Sequence, residues 1–256
     1  MGNPLPRRSA ISTDFPKTEQ MITENAASAH AMRSLRLLLE AYAGGELPQW
    51  DLFASNVRLF RLDPGATLFS AGEVHPYLYF VQSGLFKAQL RLPDGRLTTV
   101  FFPEEGDVVA PLSAMGAEGI RRVVSRGLHP RSETLRSVID QQSLHTLVAI
   151  ESSFVLRVSF RVVEHLTVQH LQWSRLLGML ALMHATTLQV DIGWLRSTPE
   201  QRYRSLLADQ PGLVQRVTQR DLASFLGVTD VALSRIAKRV RAEDHAAESP
   251  HSPATP

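Results

Sequence analysis

The chain has 256 residues, 44% of them hydrophobic, which is enough for two compact domains with cores of their own. It contains no cysteine, which excludes disulfides, thiolate zinc sites, Cys-ligated iron–sulfur clusters and thiol redox switching. The formal net charge is only +2, yet between Arg196 and Arg241 nine Arg and Lys side chains stand against four carboxylates, a balance suited to a polyanionic partner.

Residues 1–28 mix Pro4, Pro6 and Pro16 with small polar residues and show no apolar period, so a disordered tail is expected. Arg7 and Arg8 are not followed by an apolar run, and no secretory signal is read there. Over residues 29–43, Met32, Leu35, Leu38, Leu39 and Tyr42 recur at helical spacing until Gly44-Gly45 stops the pattern. From Val57 to Val109 the period changes to short β-branched and aromatic runs cut by Pro64-Gly65, Ser83-Gly84, Asp94-Gly95 and Gly106-Asp107, the pattern of an all-β barrel or sandwich. Asp94-Gly95 is the expected tip of a hairpin. Residues 114–142 break the rhythm with five arginines and few large apolar residues and read as an insertion in a β domain spanning 29–160.

A helical period returns over residues 161–195, where Leu166, His170, Trp173, Leu177, Leu180, His184, Thr187 and Asp191 alternate four- and three-residue steps. One continuous helix of ~50 Å is expected, too long to bury all its apolar faces on one small barrel. A partner helix, and so a homodimer, is the economical way to cover the rest. Its longest apolar stretch, 176–188, falls short of the ~20 residues a membrane span needs, so a soluble cytoplasmic protein is expected. His170 and His184 lie fourteen residues apart without a carboxylate at ligand spacing, and no metal site is read from them.

Residues 218–236 read as two helices joined by a tight turn within a domain at 196–241, followed by a disordered tail at 242–256. Thr218 caps the first helix, Asp221 favours its N-terminal dipole, Leu222, Ala223 and Leu226 form the buried stripe, and Gly227 ends it. Thr229 caps the second helix, with Leu233, Ile236 and Val240 facing the core. This helix-turn-helix exposes Thr229, Asp230, Val231, Ser234, Arg235, Lys238 and Arg239, which with Thr218 and Gln219 are the expected DNA contacts. Arg235 is the expected base reader, because a guanidinium bonds bidentately to guanine.

The order of parts resembles the cyclic AMP receptor protein and fumarate–nitrate regulator (Crp/Fnr) family of bacterial transcription regulators, over roughly residues 54–241. The resemblance rests on Leu62-Asp63-Pro64-Gly65 with Gly72-Glu73, on Leu78-Tyr79-Phe80-Val81-Gln82-Ser83-Gly84, on Gly106-Asp107, and on Leu222-Ala223 with Leu233-Ser234-Arg235. It implies an α+β protein with an N-terminal β-roll of the cyclic-nucleotide-binding jelly-roll type, a long dimerisation helix and a C-terminal winged helix-turn-helix that reads a palindromic operator. Double-stranded DNA, a second copy of the chain and RNA polymerase are the partners it suggests. Nucleotide-binding members carry an Arg beside Ser or Thr near the last strands. Here Ser143-Leu144-His145-Thr146 stands in that place, and a cyclic phosphate would lack its counter-charge unless Arg131 or Arg136 of the insertion supplied one. No cofactor is read, and the effector stays open; haem would have only His75, His129 and His145 to choose from. No catalytic residue is read either, since a metal-holding barrel needs clustered ligands and residues 57–109 contain only His75. The alternative function is a β-roll module that controls a partner protein without touching DNA.

Overall fold

The computed structural model describes residues 20–21, 26–73, 75–110, 122–127 and 143–248. Among the described residues nine strands lie in two antiparallel sheets: β1 (Gln20–Met21), β2 (Arg58–Leu62), β3 (Thr67–Phe69), β4 (Tyr77–Ser83), β5 (Phe86–Arg91), β6 (Leu97–Phe101), β7 (Val108–Val109), β8 (Thr146–Ala149) and β9 (Ser153–Ser159). Their orders are β1-β2-β9-β4-β7 and β3-β8-β5-β6. Alternation along β2, β4 and β9 sends Phe60, Leu62, Tyr79, Val81 and Val155 between the sheets, and Leu59, Leu78, Phe80, Leu156 and Val158 to the opposite face. Both faces are covered, so these strands read as apolar runs. The outer cover is α1 (Ala26–Ala43), α2 (Trp50–Asn56) and α3 (Phe160–Gln169), which contribute Leu35, Leu39, Phe53, Val163 and Leu166.

The hairpin expected at Asp94-Gly95 joins β5 to β6, and Gly95 adopts φ 86° there. Inside the roll the Arg157 guanidinium lies between two rings, 4.2 Å from the Phe60 centroid and 4.5 Å from that of Tyr77. Of residues 1–28, expected to be a tail, Gln20–Met21 pairs with β2 and α1 begins at Ala26; residues 1–19 and 22–25 lie outside the described residues. Most of the expected insertion, 114–121 and 128–142 with Arg131, Arg136 and His129, also lies outside them. Its described part is one turn of helix whose Val124 is buried.

The long helix differs from expectation. It is two helices, α3 and α4 (Leu171–Leu195), broken at His170, which adopts φ −134° and ψ 124°. Leu166 before the break and Trp173 after it both lie in the core beneath α1 and α2. Trp173 is anchored by its indole N–H, which donates to the Pro48 carbonyl at 2.8 Å, and it packs on Phe53 at 4.9 Å. The 25 residues of α4 span ~37 Å at 1.5 Å each.

After α4 come α5 (Pro199–Asp209), α6 (Pro211–Arg216), α7 (Gln219–Phe225) and α8 (Asp230–Glu248). Residues 242–248, expected to be tail, continue α8, and 249–256 lie outside the described residues. No strand of a wing occurs among the described residues of this domain; α6 occupies the segment between α5 and α7.

Gly84 turns β4 into β5 with φ 101°, and a Cβ there would stand 2.7 Å from the Ser153 Cα. Gly84→Ala is therefore expected to destabilise the protein by well over ~1 kcal/mol, from left-handed backbone and collision together. Gly65→Ala, at φ 83° with open space around it, should cost less. Urea denaturation of both variants checks the order.

Candidate nucleic-acid interface

Thr198 restarts the chain after α4. Its hydroxyl accepts from the Gln201 N–H while the Gln201 side chain accepts from the Thr198 N–H, and Pro199 fills the first helical position. The expected break between the domains is thus a capped restart of helix. At the start of α7 the Thr218 hydroxyl accepts from the Asp221 N–H at 3.1 Å. Gly227 ends the helix at φ 67°, and its N–H reaches the Ser224 carbonyl at 3.1 Å while that of Val228 reaches the Ala223 carbonyl at 2.9 Å. Thr229 then caps α8 by accepting from the Ala232 N–H at 3.2 Å. Leu222, Ala223, Leu226, Leu233, Ile236 and Val240 are buried together with Tyr203, Leu206 and Leu213, so a shared core fixes the two helices against α5 and α6.

All nine residues expected at DNA are exposed: Thr218, Gln219, Thr229, Asp230, Val231, Ser234, Arg235, Lys238 and Arg239. Asp230, Val231, Ser234, Arg235 and Lys238 follow helical spacing along one face of α8. Gln219 ties the two helices by donating to the Asp230 carbonyl at 3.3 Å. Arg239 is drawn sideways by an ion pair with Glu200 of α5, which leaves Arg235 and Lys238 as the cations on the open face.

The nine cations of this domain divide by use. Arg204 pairs with Glu200 and Glu243, Arg239 with Glu200, and Arg216 with Glu104, Glu105 and Glu151, while Arg202 lies over the Trp194 ring. Arg196, Arg220, Arg235, Lys238 and Arg241 are exposed and have no ion-pair partner among the described residues. The positive surface suited to phosphate therefore lies on α8 and at the start of α7.

One contact was not read from sequence. The domain sits on the roll by the side of α7 that faces away from α8. Ser224 accepts from the Thr99 N–H at 3.0 Å, so α7 covers the open edge of β6. Phe225 packs on Phe102 at 5.2 Å and on Trp194 at 4.9 Å, and Leu85 of the roll is fully buried in the same cluster. The Lys87 ammonium meets the Asp221 carboxylate at 2.8 Å. The available signal was Leu85 and Phe102, two large apolar residues placed at turns, where a roll alone has no core to hide them.

Of the histidines considered for haem, His129 lies outside the described residues, and His75 and His145 have separate aromatic surroundings. His75 stacks on Tyr79, bonds its hydroxyl and lies 5.3 Å from the Phe69 ring, whereas His145 stands edge-on to Phe101. Among the described residues no three His, Asp or Glu side chains gather at metal distance. The segment 143–146, where a phosphate-binding Arg would stand, ties the turn after β3 instead: Gly72 N–H donates to the Ser143 carbonyl, and Ala71 N–H to the Thr146 hydroxyl.

A roll, a long helix and a helix-turn-helix thus follow one another along the chain. Residues 59–126 match the family model of the cyclic nucleotide-binding domain. Solved structures share the fold. FixK2 from Bradyrhizobium japonicum is 21% identical over 73% of this chain and 86% of its own, with a TM-score of 0.54. The c-di-GMP-responsive global regulator CLP of Xanthomonas campestris is 17% identical over 76% and 91%, at 0.54. A protein from Eubacterium rectale described as a transcriptional regulator of the Crp/Fnr family is 16% identical over 76% and 83%, at 0.55. No protein of curated function matches the sequence.

Burial pushes the His75 imidazole down to about 4, so it stays neutral in the folded chain where an unfolded His, at about 6.5, takes up a proton. The unfolded state then binds more protons between those two values, and stability falls as pH drops from about 6.5 to about 4. Urea midpoints across that window should decline for the wild type and decline less for His75→Gln.

Proposed function

We propose that the chain is a transcription regulator that binds a palindromic site on duplex DNA as a homodimer, and that it is not an enzyme. The carrying observation is the outward face of α8, where Arg235 and Lys238 stand exposed beside Ser234, Val231 and Asp230 on a helix held rigidly by its other side. A helix of this shape enters a major groove, with Arg235 placed for base edges and Lys238, Arg220 and the Thr218 and Thr229 hydroxyls for phosphates. Regulators with the same fold support the reading.

The exposed length of α4 supports the homodimer. From Ala181 to Gly193 every residue of the helix is exposed, including Leu182 at 61% and Val190 at 67%. Met179, Leu182, Met183, Thr186 and Val190 fall at i, i+3, i+4, i+7 and i+11, a continuous flank suited to a second copy of itself. This flank lies about a third of a turn from the series expected to form the seam; of that series Trp173, Leu177 and Leu180 pack on the chain's own roll. At 25 residues, with an 18-residue window of mean hydropathy 1.3, α4 also reaches the length of a membrane span, longer than the apolar stretch suggested. Its first turns, however, are locked in the roll by Trp173 and Leu176, and its end runs into the capped restart of a domain docked on the same roll. A helix tied to one globule at both ends supports a second copy of the chain, rather than lipid, as the cover of its exposed flank, and with it a cytoplasmic dimer beside its DNA. The effector stays open.

Mobility shift with duplexes selected from fragmented genomic DNA tests the reading. Wild-type affinity should fall steeply with salt as phosphate contacts release counterions. Arg235→Ala should lose ~1–3 kcal/mol of discrimination between the selected duplex and random DNA. Equal affinity for both duplexes in wild type and variant would overturn the assignment.

A further inference from the structure

We infer that Lys87 and Arg216 are positioning residues of the DNA-reading head: they hold it to the roll by its back, and neither touches DNA. The inference deepens the DNA-binding reading above and rests on it. Arg216 ends α6 and reaches the turns of the roll, with Nη2 at 2.8 Å from Glu105 and 2.6 Å from Glu151, and Nη1 at 3.5 Å from Glu104. Glu105 is itself held, because its Oε1 accepts the Gly84 N–H at 2.7 Å. One guanidinium thus ties the turn after β4, the β6–β7 turn and the β8–β9 turn to the head, and its fork spans two carboxylates in a way a lysine could not.

The second tie works through Asp221. This carboxylate lies in the first turn of α7, the end of the helix-turn-helix that meets phosphates, where a bare negative charge would repel the duplex. Lys87 neutralises it from β5, and the pair is mostly buried, with side chains 23% and 13% exposed. Between the two ties, Ser224 accepts the Thr99 N–H, and Thr98 donates its hydroxyl to the Ser224 carbonyl at 3.4 Å.

The docked head is the DNA-competent one. Docking covers the side of α7 that carries Asp221, Ser224 and Phe225, while Thr218, Gln219, Arg220 and the Arg235 face of α8 remain exposed. Holding the head at one angle preorganises the spacing between two such heads in a dimer, so a looser head pays for that order at each binding event.

Two measurements test this, one with DNA and one without. Lys87→Ala combined with Arg216→Gln should weaken binding of the duplex recovered from genomic selection about tenfold, with the slope of affinity against salt unchanged. Lys87→Arg should restore its share. Without DNA, hydrogen exchange at the Thr99 amide should speed at least tenfold in the double variant, while amides inside the β5–β8 pairing keep their rates. Because the chain has no native cysteine, Thr98→Cys and Ser224→Cys can be bridged by a short bis-maleimide, and the bridged head should bind as tightly as the unbridged one. Unchanged affinity, unchanged Thr99 exchange, loss of binding on bridging, or a salt slope reduced by about one per residue, which marks direct phosphate contact, would each overturn the inference. A wild type that binds no duplex would end the DNA reading instead, while the exchange rates still decide whether the two residues fix the head.

Discussion

The architecture depends on how α4 divides its apolar surface. Its first turns are spent within the chain: Trp173, bonded to Pro48 and packed on Phe53, and Leu176 beside it close the outer face of the roll. Beyond Leu180 the helix leaves the roll with Leu182, Met183, Leu188, Val190 and Ile192 in the open. Water tolerates scattered exposed apolar residues, but a continuous apolar helix flank is the signature of an association surface. One element is therefore a buttress for the roll and, in the proposed dimer, half of an interface, and its distal end carries the proposed reading head.

Electrostatics makes a matching division in that head. Cations near the roll or the neighbouring helices are neutralised: Arg216 by three carboxylates of the roll, Arg204 and Arg239 by Glu200 and Glu243. Burial pushes the Glu105 carboxyl up, but hydrogen bonds from Arg216 and from backbone N–H groups, together with the Arg216 charge, hold it below its usual range, whereas burial leaves that of Glu104 raised. Cations on the far side keep their charge for solvent or phosphate. The modest net charge of the whole chain thus conceals a directed field, the arrangement that steers a polyanion to one face.

Much of this was legible in the chain because the cues were local. The caps at Thr198, Thr218 and Thr229, the left-handed Gly227 and the hairpin at Gly95 each follow from one residue and its immediate neighbours. Both apolar faces of β4 were visible as an unbroken run over 77–81. The break at His170 was not legible, because no proline or glycine marks it. The docking of α7 on β6 was equally hidden. Ser224 and Asp221 look like ordinary polar positions of a helix until Thr99 and Lys87, over a hundred residues earlier, are brought beside them. At the candidate site, the exposed face of α8 was read correctly as a surface, but the sideways commitment of Arg239 to Glu200 depends on tertiary placement.

The account stands on α4 joining two copies so that two outward α8 faces meet one duplex. Sedimentation equilibrium of the chain on a saturated duplex from genomic selection tests this most directly. Two chains of 28.4 kDa per duplex are predicted, with Leu182→Asp sharply weakening that assembly. A saturated complex holding a single chain, and insensitive to Leu182→Asp, would contradict it.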